Sequence, residues 1–158
     1  MESSTSLIVI VLLLVANAFF VAAEFALVKI RMSKVENLAK EAGLSAKLLL
    51  KIKHNLEPYL AACQLGITMA SLGLGWVGEP AVAKLLEPLF HSIGMSEEAL
   101  HITAFIFGFV IFSSLHIVIG EQVPKTYAIR KPEPVSLWIA IPLHGFYLLS
   151  YPLTKALN

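Results

Sequence analysis

The sequence contains no aspartate, a single cysteine and little charge of either sign. All 11 of its acidic residues are glutamates, and 15% of its 158 residues are charged, against about 25% in an ordinary soluble domain. Without aspartate, many hydrolase and phosphotransfer site designs are excluded. Cys63 has no partner for an intramolecular disulfide and supplies no thiolate cluster; inside an apolar run it reads as a small core residue. Lysine and arginine are also missing ahead of the first apolar run, where Glu2 stands instead, while Lys29, Arg31 and Lys34 follow it. Signal peptides carry their positive end first. The run therefore reads as a retained helix with its N-terminus outside, although Ala16-Asn17-Ala18 has the small-x-small form of a cleavage site. A net charge of +1 gives no footprint for nucleic acid.

What the chain has in excess is hydrophobicity: 57% of residues are apolar and the mean hydropathy is +0.76. This places it among all-α integral membrane proteins. Charge is missing from residues 3–23, 58–78, 99–120 and 134–154. Each is close to the ~20 residues a helix needs to cross the hydrocarbon layer. Basic residues crowd the connection after the first run, from Lys29 to Lys53, and return after the third at Lys125, Arg130 and Lys131. The positive-inside rule then gives three crossings, out to in, in to out and out to in, over about residues 4–29, 57–78 and 98–123.

The fourth run carries Pro134, Pro142 and Pro152 with Trp138, Tyr147 and Tyr151. Proline interrupts the helical ladder and aromatics favour the headgroup level. Residues 134–155 are read as a kinked juxtamembrane belt on the cytoplasmic face rather than a straight fourth span, which keeps the C-terminus cytoplasmic. Residues 33–55 read as a cytoplasmic amphipathic helical hairpin resting on the anionic lipid of the membrane. Ser33-Lys-Val-Glu36 has the capping-box pattern and Gly43 suits a helix C-cap.

Polar groups within the spans are costly unless they find partners, so each is a candidate for function. In the first span Asn17 and Glu24 lie seven residues apart, two helical turns, and share a face. Gln64, Thr68 and Ser71 form one stripe on the second; Ser114 and Glu121 are again seven apart on the third. For Thr68, Ser71 and Ser114 a plainer role is available, bonding their own helix backbone. Glu24 has one too, snorkelling toward Lys29 or Arg31. Small residues recur every four positions at Ala18, Ala22 and Ala26, at Ala62, Gly66 and Ala70, and at Ala104 and Gly108, a spacing that suits close helix approach and a dimer.

The most distinctive stretch is Gly120-Glu121-Gln122-Val123-Pro124. In a helix the N–H of residue 124 bonds the carbonyl of residue 120, and proline has no N–H. Pro124 is thus a helix-break that leaves the Gly120 carbonyl without its partner, with the Glu121 carboxylate beside it. Both are hard oxygen ligands, which suit Mg²⁺, Ca²⁺ or Na⁺. Broken helices with bare carbonyls are how transporters coordinate ions. The plainer alternative is a helix that ends at Gly120 with Pro124 as its stop.

NAFFVAAEFALVKIR, CQLGITMASLGLGWVGEP and GEQVPKTYAIRKPEP resemble the transmembrane domain of the CorC/cyclin M family, also called hemolysin-like proteins, over essentially the whole chain. The resemblance implies three transmembrane helices with a juxtamembrane belt and a homodimer. It implies Mg²⁺ transport or efflux, with Na⁺ as a coupling ion. Chains of the family continue into cytoplasmic CBS domains that bind ATP. Carried over position by position, the metal site uses Glu24, Ser71, the Gly120 carbonyl and Glu121; the polar faces read from spacing add Asn17, Gln64, Thr68 and Ser114 as a supporting polar stripe. Val21 stands where many family members have serine. A second reading is a non-transporting, Mg²⁺-sensing membrane anchor and dimerisation module. An intramembrane enzyme has least support, since His101, His116 and His144 lie on separate elements without paired spacing.

Overall fold

The computed structural model describes residues 3–41 and 43–157, and the described chain is almost wholly helical. Glu2 and Asn158, the two ends used in reading the topology, lie outside the described residues. Helix α1 spans Ser3–Lys29, α2 Met32–Glu41, α3 Leu44–His54, α4 Leu56–Ser92 and α5 Glu97–Leu115. A π-helical turn, His116–Gln122, joins α5 to α6, Val123–Arg130, and α7 covers Pro132–Leu157. Among the described residues, three helices are long and apolar enough to cross a membrane: α1, α4 and the continuous Glu97–Arg130 rod. α7 is not among them.

Side-chain pairs fix the directions of the three long helices. Asn17 meets Ser71 and Glu24 meets Gln64, so α4 runs antiparallel to α1. Asn17 meets Gly120, and the Lys125 ammonium sits 4.6 Å from the Phe25 ring centroid, so the third rod runs parallel to α1. An odd number of crossings follows from this pattern.

The small residues allow the helices to approach. A Cβ on Gly66 would collide with the Phe20 ring, and one on Gly78 with the Phe112 ring. Gly108 lies against the Ala83 backbone, where a Cβ would fall 3.0 Å from its nitrogen. These spacings are therefore used inside one chain, packing α1 on α4 and α4 on α5. As evidence for a dimer they lose their force.

α4 continues through Pro80 and Pro88 to Ser92, well past residue 78. At 1.5 Å per residue it is about 55 Å long. Its last third forms a hairpin with α5, closed by the His101–Glu87 contact at 3.3 Å.

At the other end of the bundle, α2, α3 and α7 wrap α1 and α4. Val35, Leu49, Ile52, Ile139 and Leu143 are fully buried there with Leu27 and Tyr59. Tyr59 stacks on Tyr147 at 4.2 Å between centroids, and its hydroxyl lies 2.7 Å from His144 Nδ1. The Ser45 hydroxyl donates to the Leu137 carbonyl, tying α3 to α7. Lys53 donates to the Leu27 carbonyl at 2.6 Å, satisfying one of the carbonyls α1 leaves open at its end. Burial pushes that ammonium below its usual pKa. Two caps read from the sequence differ. Ser33 lies inside α2, whose Lys34 and Val35 amides bond the Arg31 carbonyl, so it caps nothing. Gly43 precedes α3 as its N-cap, with φ −77°, so it is not a left-handed C-cap. The capping pattern was right in composition, but the helix begins earlier, where Ile30 turns into the core.

Candidate ion site between the three helices

The third rod does not stop at Gly120. It widens into a π turn in which the Val123 amide bonds the Val118 carbonyl, five residues back. Pro124 begins the following helix and is buried. The Gly120 carbonyl takes a partner from outside its own helix, and that partner is Asn17. The Asn17 amide nitrogen donates to it at 2.9 Å. The other end of the same amide, Oδ1, accepts from the Ser71 hydroxyl at 3.1 Å. Asn17 is 0% exposed. One neutral side chain thus joins all three spans, with both its polar ends satisfied.

Gly120 is needed for this approach. A Cβ there would lie 2.9 Å from His116 Cδ2 and 3.0 Å from Asn17 Nδ2. His116, four residues earlier, folds its ring over Gly120, and its buried Nε2 has no hydrogen-bond partner among the described residues. The sequence reading missed this histidine. The i, i+4 spacing to Gly120 was the available signal, masked by treating the histidines only as catalytic candidates.

The two carboxylates lie off this neutral ring. Glu24, half-buried, accepts from Gln64 at 3.4 Å, a long bond. Glu121 is also half-buried, and among the described residues it has no hydrogen bond or ion pair. No three His, Cys, Asp or Glu side chains converge among the described residues. The donors at the break are therefore carbonyl, amide and hydroxyl oxygens with flanking carboxylates, a hard set.

Two members of the expected stripe are not brought in. Thr68 is exposed, and Ser114 is exposed and donates to the Val110 carbonyl of its own helix at 2.7 Å. Ser114 and Glu121 were assigned one face on the 3.6-residue period. The π turn between them takes more residues per revolution, which rotates the two apart. Val21, at the position often occupied by serine, is 4% exposed and packs as a hydrophobe.

The family model for the cyclin M transmembrane N-terminal domain matches residues 8–158. The chain belongs to this family. Among curated relatives it is 52% identical over 152 residues to the UPF0053 protein YugS of Bacillus subtilis (strain 168), covering 96% of the chain and 35% of the relative. The UPF0053 protein YhdT of the same organism is 44% identical over 158 residues, covering 100% of the chain and 34% of that protein. The uncharacterized protein Rv1841c of Mycobacterium tuberculosis (strain ATCC 25618 / H37Rv) is 35% identical over 158 residues, covering 100% of the chain and 45% of that protein. The chain spans about a third of the length of the Bacillus relatives. With three helices long and apolar enough to cross a bilayer, this cyclin M domain is a multi-pass membrane protein.

Proposed function

We propose that this cyclin M domain carries a divalent cation, Mg²⁺ as the family resemblance implies, through the interior of its three spans, with Na⁺ as a coupling ion. The observation that carries the proposal is the Asn17–Gly120–Ser71 ring: a carbonyl at the π turn held by an amide from another span, whose oxygen accepts from a hydroxyl on the remaining one. Hydrogen bonds of this kind are exchangeable. Turning the Asn17 amide presents Oδ1, the Gly120 carbonyl and the Ser71 hydroxyl as three oxygens toward one point. Glu24 and Glu121 supply the charge that a divalent ion requires and that the ring lacks. Mg²⁺ gives up water reluctantly, so a half-exposed carboxylate suits its entry with part of its shell retained.

The anchor reading requires Glu121 dry, protonated and bonded. Its lack of a side-chain hydrogen bond or ion pair among the described residues favours the transporter. A homodimer, an outer N-terminus, a cytoplasmic C-terminus and attached cytoplasmic CBS domains belong to the same proposal, on the strength of the family and of the basic residues at the α1 and α6 ends.

The test is Glu121→Ala, with isothermal titration and melting in Mg²⁺, Ca²⁺ and Na⁺. The native protein should be stabilised by about 2.7 kcal/mol when Mg²⁺ is present at about a hundred times its Kd. In the variant that increment should vanish, while melting without divalent ions holds or rises, because no bonded partner is lost. An unchanged Mg²⁺-dependent shift would overturn the assignment.

A further inference from the structure

The ends of α1 and α6 meet the start of α7 around a cavity of about 520 Å³. Its walls bear Lys29, Arg31, Lys34, Arg130 and Lys131, with Glu133 as their one carboxylate. Glu133 is already engaged by Lys34 at 3.3 Å. Among the described residues, the other four cations have no ion-pair partner. In a chain of net charge +1, this is a strong local concentration of positive charge. The four repel one another, and an anion between them relieves that repulsion.

The cavity's depth points to what the anion is. Lys29 is the last residue of α1, and Arg130 the last of the third rod, so the cationic walls lie at the ends of two membrane-spanning helices. That is the headgroup level. Ile30, Pro132 and Pro134 supply an apolar floor and rim beside the charges. Pro132 and Pro134 remove two of the backbone amides that the start of α7 would otherwise offer, so recognition falls to the side chains. Arginines present a planar fork that matches phosphate oxygens. We infer that this cleft binds a phosphate-bearing anion, the headgroup phosphate of an anionic phospholipid, as a discrete site rather than by general surface attraction.

The test uses native mass spectrometry of the purified protein with phosphatidylglycerol and phosphatidylcholine of matched chains. Phosphatidylglycerol should be retained at one per protomer, and phosphatidylcholine should not. Arg31→Ala combined with Arg130→Ala should weaken retention about thirtyfold, as expected for two membrane-proximal basic residues. Both side chains are exposed, so melting of this variant without lipid should be unchanged. Lys47→Ala combined with Lys51→Ala, on the exposed face of α3, should retain the lipid. Equal loss in that control, or equal retention of the two lipids, would overturn the site. Protection by inorganic phosphate alone, matching that of the lipid and lost in the arginine variant, would overturn the lipid as its source.

Discussion

Helix α1 carries two polar stations, Asn17 and Glu24, about 10 Å apart along its axis. Both face α4, and both meet a polar residue there, Ser71 and Gln64 respectively. Beyond that they differ. Asn17 is fully buried and makes bonds of 2.9 and 3.1 Å to two other spans. Glu24 is half-buried and makes one bond of 3.4 Å. The reason is the chemistry of the two groups. An amide both donates and accepts, so one carbonyl and one hydroxyl satisfy it and it can be sealed dry. A carboxylate only accepts, and its charge needs water, a cation or a proton, so it stays at the open end. The dry station sets the geometry of the three helices; the open one holds the charge.

The comparison is broken most severely at the dry station. Asn17→Ala leaves the Gly120 carbonyl unpaired in a water-poor interior and opens a small cavity. An unsatisfied buried group costs about 1–3 kcal/mol, and the cavity adds to it. We expect about 2–4 kcal/mol in total, read as a lower melting temperature in mild detergent without divalent ions. Ser71 recovers part of its loss by bonding its own helix backbone. A variant that melts like the native protein would mean that the ring does not hold the spans together.

Much of this was legible in the sequence. The three long helices follow from charge-free runs of membrane length, and a disturbance of the backbone ladder after Gly120 from the missing N–H of Pro124. The shared face of Asn17 and Glu24 follows from their two-turn spacing. What was not legible depends on partners distant in sequence. That the free carbonyl is taken by Asn17, 103 residues away, is a fact of packing. So is the use of the small-residue stripes within one chain. The π turn was hidden because a wide turn has no hydrophobic period of its own; it shows only as the wrong face for Ser114. His116 over Gly120 was hidden by its residue type, which drew attention to catalysis.

A gentler perturbation acts on the carbonyl itself. Pro124→Ala restores an N–H that can use the second lone pair of the Gly120 oxygen, beside Asn17, and lets the π turn relax toward an α-helix. One net hydrogen bond is worth about 0.5–1.5 kcal/mol, and the variant should gain stability of that order. The same bond must be given up when the oxygen coordinates a cation, so Mg²⁺ affinity should fall by roughly two- to tenfold. If Pro124 is only a stop signal, stability rises and titration shows unchanged affinity. The opposed pair of changes is the expected outcome.

The smallest effect on stability is expected at the open station. Glu24→Gln keeps the shape of the side chain and its reach to Gln64, and removes only the charge. A half-exposed residue with one bond at the limit of hydrogen-bonding distance contributes little to folding, so melting without divalent ions should move by no more than about 0.5 kcal/mol. If the carboxylate's role is to attract and hold a cation, the added stability from saturating Mg²⁺ should nevertheless shrink clearly. Its neutral isostere offers one carbonyl oxygen and no charge. If Glu24 only snorkels toward Lys29 or Arg31, the Mg²⁺ increment should be unchanged, because an exposed pair of this kind is worth little and lies away from the ion. A third result would be more damaging. A loss of stability as large as that of Asn17→Ala, without change in the Mg²⁺ increment, would make both stations structural and remove the division between a dry ring that shapes the site and an open carboxylate that charges it.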